Sequence, residues 1–114
     1  MKYILLIQSG DSRQEFDSLP EDQQNAIFGE YVAIGQAPGV LGGDQLQPAE
    51  TATTVRVADG KTLTTDGPFV DTKEALGGYF LLEADDIDAA IEIAARVPAA
   101  RMGGAVEVRP IVER

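Results

Sequence analysis

Nine consecutive residues, Asp66-Gly67-Pro68-Phe69-Val70-Asp71-Thr72-Lys73-Glu74, hold the densest mixture of chemically capable groups in the chain. Three carboxylates, an ammonium and an aromatic ring flank one turn. Carboxylates can move a proton, hold a hard cation or order a backbone turn. Asp66 precedes Gly67-Pro68, so its carboxylate is placed to accept backbone N–H groups of that turn. On this reading Asp66 shapes the loop that carries Phe69 and Lys73, and is structural before it is functional. The spacing of Asp66, Asp71 and Glu74 matches no calcium loop, and no metal is expected.

Three more side chains stand out. Arg101 lies in a turn after a helix end, where dipole complementarity accounts for Arg96 better than for Arg101. Glu107 and Arg109 alternate with Val106 and Val108. They read either as a surface pair on an edge strand or as a cleft with a fixed guanidinium, suited to a carboxylate or another anion. The candidate ligand-binding set is therefore Asp66, Phe69, Lys73, Glu74, Arg101, Glu107 and Arg109, with Asp66 the candidate catalytic acid or base.

What is missing narrows the chemistry. The chain has no His, no Cys and no Trp. That excludes a Cys or His nucleophile, a Ser-His-Asp triad, a zinc finger and a disulfide scaffold. No phosphate-binding glycine motif or nucleophile elbow is present, and no cofactor is expected.

These groups must be positioned by one domain, residues 1–114, of ordinary size and 44% hydrophobic composition. The net charge is −10. Each half carries −5, with 3 basic and 8 acidic residues in 1–57, and 6 and 11 in 58–114. Such a surface disfavours nucleic acid and anionic membrane. The apolar start ends at Gln8, too short for a signal peptide, so a soluble cytoplasmic protein is expected.

Tyr3 to Ile7 reads as a central strand. Leu19-Pro20-Glu21-Asp22 opens a helix over about 20–36, with Ile27, Tyr31 and Ile34 as its stripe and Phe28 widening it. Val40 to about Leu46 is extended. Residues 51–57 and 61–65 form a hairpin around Asp59-Gly60. Tyr79-Phe80-Leu81-Leu82 is a second buried strand. Asp85 caps a helix whose stripe is Ile87, Ile91 and Ala94/Ala95. Residues 106–111 form the last strand. The order β-α-β, hairpin, β-α-β predicts an α+β, ferredoxin-like (split βαβ) antiparallel sheet with two helices on one face.

Two helices cover one face, yet Tyr3, Leu5 and Ile7 alternate with Ile4 and Leu6, and Tyr79 and Leu81 with Phe80 and Leu82. Both faces are apolar and need covers. A second copy of the chain, sheet against sheet, is the simplest one. The alternative is that the inserted hairpin and the loop at 66–77 fold across the open face.

The segment DGPFVDTKE resembles the signature of the DGPF family, within the YCII-related domains. The likeness runs through the MKYILLI start, GVLGGDQLQP, and the stretch from TATTVRV to VEVRPI. It implies a ferredoxin-like fold that dimerises through its sheets, a dimeric α+β barrel, in a family whose biochemical role is not established. Related YCII proteins have been proposed as enzymes with a His/Asp pair in a cleft. Without His that mechanism does not carry over, and Arg101-Met102-Gly103 occupies the region where many relatives place a His. Asp66 carries over as the motif's acid, with Phe69, Lys73 and Glu74 beside it. Some members are encoded beside or fused to extracytoplasmic-function sigma factors, which implies a regulatory or stress-linked setting.

Three functions follow as expectations. One is a homodimer binding a small polar or anionic metabolite near the DGPF loop. Another is a small cofactor-independent enzyme, with Asp66 as general base and Arg109 stabilising an anionic intermediate. The third is an acidic adaptor for a basic partner such as a sigma factor.

Overall fold

The alternating apolar run at the start becomes the strand β1 (Lys2–Gln8). A computed structural model of the protein describes residues 1–68 and 75–114. After β1 come α1 (Ser12–Asp17), α2 (Glu21–Gly35), β2 (Val40–Gln45), the hairpin β3 (Thr53–Ala58) and β4 (Lys61–Asp66), β5 (Leu76–Glu83), α3 (Ile87–Ala94) and β6 (Ala105–Pro110). The main sheet has the order β2-β5-β1-β6, with every neighbouring pair antiparallel. This is the ferredoxin-like arrangement, with β3–β4 inserted as a separate two-stranded sheet. No described helix is long and apolar enough to cross a membrane.

The core is built on one phase of the β1 alternation. Tyr3, Leu5 and Ile7 are buried with Phe80, Leu82, Ile34, Ala90, Ala94, Val97 and Ala99, and Val106 and Val108 pack against them. Leu5 lies opposite Phe80 on one side and Val108 on the other, so three strands present one apolar surface to the helices.

The helices differ from expectation in four ways. The segment after Gly10, expected as a polar connection, forms α1, so the described residues hold three α-helices rather than the two expected. One turn of helix formers around Arg13-Gln14-Glu15 is enough there because Glu15 N–H reaches Asp11 O at 3.0 Å and Ser18 N–H reaches Gln14 O at 3.1 Å. It is too short for a periodic pattern to reveal it.

In α2, Ile34 is buried and Ile27 and Tyr31 are half-buried as the stripe requires, but Phe28 is 64% exposed. The cap of α3 is Asp86, not Asp85. The Ala89 N–H donates to Asp86 Oδ1 at 2.9 Å, which satisfies one free N–H of the first turn. The buried line on α3 is Ala90 and Ala94, continued by Val97, while Ile87 and Ile91 are exposed. Both lines have helical spacing. The small side chains face the sheet because the 3-10 turn Pro98–Arg101 buries Pro98 and Ala99 directly behind them.

The hairpin turn is as expected. Asp59 and Gly60 both have positive φ, 52° and 75°, the combination that a two-residue turn between twisted strands needs.

Close backbone approach sets one glycine. Gly104 donates its N–H to Ala99 O at 2.9 Å, and a Cβ there would meet the carbonyl oxygens of Gln8, Ser9 and Ala99. Gly29, inside α2, has nothing near its Cβ position. Gly104→Ala should therefore lower stability by about 1–3 kcal/mol, whereas Gly29→Ala should raise it by about 0.5–1 kcal/mol. Urea unfolding of the two variants checks the pair.

Candidate functional site

The other phase of the same alternation builds the candidate site. Residues directly opposite in paired strands share a face. Leu6 lies opposite Tyr79 and Glu107, and Ile4 opposite Leu81 and Arg109. Asp44 of β2 lies opposite Tyr79. The face away from the helices therefore has a half-buried apolar floor of Ile4, Leu6, Tyr79 and Leu81. Charges stand along both borders: Asp44 at the β2 edge, Glu107 and Arg109 at the β6 edge. The helices cover the opposite face. The hairpin is exposed along both strands and is not laid across this one.

The charged groups are loosely held. Tyr79 Oη donates to Asp44 Oδ2 at 3.5 Å. Arg109 Nε is 4.0 Å from Glu107 Oε2, well beyond the ~2.7–2.9 Å of a charge-assisted hydrogen bond. Among the described residues the guanidinium at the rim therefore has no close charge-assisted hydrogen bond. An apolar, partly aromatic floor with one cation at its edge can seat a flat organic anion.

The sequence-derived residues fall in three places. Glu107 and Arg109 meet on the open face, with the valines turned to the helices. Asp66 ends β4, opposite Thr53 on the hairpin, and is exposed. The expected turn bonds at its carboxylate are not formed: among the described residues that side chain has no hydrogen-bond partner. Gly67 closes the turn through its backbone, its N–H reaching Ala52 O at 2.7 Å. Thr54 Oγ1 donates to Gly67 O at 2.8 Å. Gly67 has φ 102°, a left-handed conformation that lets the main chain make the closure itself. Phe69, Lys73 and Glu74 lie outside the described residues.

Arg101 belongs to the helix layer instead. Its Nη2 donates to Glu30 Oε2 of α2 at 2.6 Å. Both side chains line a shallow depression of about 200 Å³ with Ala33, Ile34 and Arg96. Sequence reasoning missed Tyr79 and Asp44 as site residues. The alternation of Tyr79 with Phe80 carried the signal for the first, while Asp44 needed the pairing of β2 with β5. Among the described residues no three metal-ligating side chains converge.

With this geometry the fold class is an α+β ferredoxin-like sheet with one open, charged-rim face. The chain belongs to the YCII-related domain family, whose model matches residues 1–114. An uncharacterized protein of Rhizobium meliloti (strain 1021) is 32% identical over 117 residues, covering 97% of this chain and 92% of the relative. The fold is also similar to the 5-chloro-2-hydroxyhydroquinone dehydrochlorinase TftG from Burkholderia phenoliruptrix AC1100, solved in complex with 2,5-dihydroxybenzoquinone. That likeness has a TM-score of 0.54 at 14% identity and covers 100% of this chain and 96% of the other.

On the helix side, Tyr31 of α2 reaches the Pro98–Arg101 turn. Burial pushes its phenol above the ordinary value of 10.0, opposed by a backbone hydrogen bond at Ala99 and by the Arg101 charge. Its folded value is the raised one, so its contribution to stability is intact below pH 10.0 and is lost as pH rises through the higher folded value. Denaturation midpoints should fall as pH rises above 10.0, and the fall should be shallower in Tyr31→Phe.

Proposed function

We propose that the protein is a small-molecule binding protein, a homodimer that holds a flat, anionic metabolite over the open sheet face in a regulatory rather than catalytic role. The observation that carries this reading is the half-buried floor of Ile4, Leu6, Tyr79 and Leu81, bordered by an Arg109 guanidinium that its neighbour Glu107 does not engage closely. The floor supplies dispersion and apolar burial, and Arg109 supplies orientation through two parallel N–H donors. A second copy would exclude water from the ligand's upper side, since this floor remains partly open in one chain.

Catalysis by Asp66 has less support in the geometry. The carboxylate is exposed on the hairpin, and within one chain it belongs to a different sheet from Arg109.

Benzoate and 2,5-dihydroxybenzoquinone are suitable probes, both flat and anionic near neutrality. At least one should raise the melting temperature saturably, a stabilisation of about 2.7 kcal/mol at a hundredfold excess over Kd. Arg109→Gln should weaken that binding at least tenfold, whereas Arg101→Gln, on the other layer, should leave it unchanged. Absence of saturable binding, or equal binding by Arg109→Gln, overturns the reading.

A further inference from the structure

The depression on the helix side plays no part in the open-face site. It forms where Glu30, Ala33 and Ile34, on one face of α2, meet the end of α3 and the turn beyond it, which bring Arg96 and Arg101. Its base is apolar and closed, since Ile34 is only 1% exposed. Its volume of about 200 Å³ falls below the roughly 300–1,000 Å³ of sites for drug-sized ligands. It suits a molecule of a few heavy atoms.

Charge sets this place apart from the rest of the chain. The sequence carries 9 bases against 19 acids, yet here two guanidiniums meet one carboxylate, a local balance of 2 − 1 = +1. The two cations are held differently. Arg101 Nη2 donates to Glu30 Oε2 at 2.6 Å, which engages one of the several N–H donors that a guanidinium carries. The Arg96 side chain has no hydrogen bond or ion pair with any described residue. It does not pair even with Glu92, four positions earlier, although that spacing brings opposite charges together on a helix. The dipole of α3 favours a cation at this end, but it supplies no partner for the fork.

A monoanion matches the local balance. A carboxylate offers two oxygens to a guanidinium fork, and a short hydrocarbon tail would rest on Ala33 and Ile34. A phosphate dianion would set a second negative charge against Glu30. A flat aromatic acid has the larger apolar floor of the open face. We propose that the depression is a second binding site, one for a short-chain aliphatic carboxylate, with Arg96 as its anchor and Arg101 as a second donor. Glu30 opposes the ligand, because it competes for Arg101 and repels added negative charge. The site lies in the helix layer, so it stands or falls independently of the reading of the open face.

Butyrate is the probe, titrated into isotopically labelled protein while the side-chain Nε–Hε signals of Arg96 and Arg101 are followed by NMR. Both signals should shift saturably. Arg96→Gln should weaken binding about fivefold or more. Glu30→Gln should strengthen it about twofold or more, because it leaves two guanidiniums unopposed; loss of a merely structural contact would act in the other direction. Arg13→Gln, an equal change of charge on α1, should leave binding unchanged. All three substitutions are at exposed positions, so the fold is not at stake. Shifts that stay linear with butyrate concentration, equal binding by Arg96→Gln, or weaker binding by Glu30→Gln overturns the proposal. Tighter binding of inorganic phosphate than of butyrate at the same signals also overturns it, since the site would then select a dianion.

Discussion

The structure depends on a mismatch between strand and helix. A strand presents side chains to two faces, and β1 and β5 are apolar on both, whereas the helices pack on one. Everything buried in the described chain follows from satisfying the first face: Leu5 between Phe80 and Val108, then Ile34, Ala90, Ala94 and Val97 above them. The second face stays half-buried by its own strands, with charge on both borders, and the proposed binding function rests on it.

The helix layer shows how tightly the first face is closed. Ala90, Ala94 and Ala99 are buried beneath the layer together with Ile34 and Val97, whereas Ile87, Ile91 and Phe28 remain outside it. Small side chains bring backbones together, and Gly104 continues that approach by resting on the carbonyls of Gln8, Ser9 and Ala99. The same closeness fixes the 3-10 turn that carries Arg101 and holds that guanidinium on Glu30, away from the open face. Two arginines eight positions apart in sequence, Arg101 and Arg109, consequently serve different layers.

Electrostatics divide the molecule by segment. The chain's excess of acids would oppose self-association, whereas the hairpin, residues 53–66, carries two bases and two acids. Exposed apolar side chains, Val55, Val57 and Leu63, coincide with that balance. The loose Arg109–Glu107 spacing is consistent with this division. A rim charge that already had an ideal partner would offer little to a ligand, whereas one at 4.0 Å keeps both its charge and its donor geometry.

By itself the sequence determined whatever rests on local rules. Period-two alternation marked β1, β5 and β6 and the two-faced sheet. Asp59-Gly60 specified the hairpin turn because both positions need positive φ, and Pro20 and Pro98 marked where helices could start or had to stop. The alternation of Glu107 and Arg109 with Val106 and Val108 was legible for the same reason, but the sequence left a surface pair on an edge strand open beside a cleft, and the packing of the valines against the core set the side. Tertiary structure decided the rest. Which of two helically spaced stripes on α3 would be buried depended on how close the sheet came. Which aspartate capped α3, Asp85 or Asp86, depended on where the first turn began after β5. Among the described residues the turn after Asp66 is held by Gly67 and Thr54, contacts with residues more than ten positions away that the motif does not reveal. Arg101 could not be placed from sequence, because its partner Glu30 lies 71 residues away, a distance that only packing of α2 against the Pro98–Arg101 turn removes.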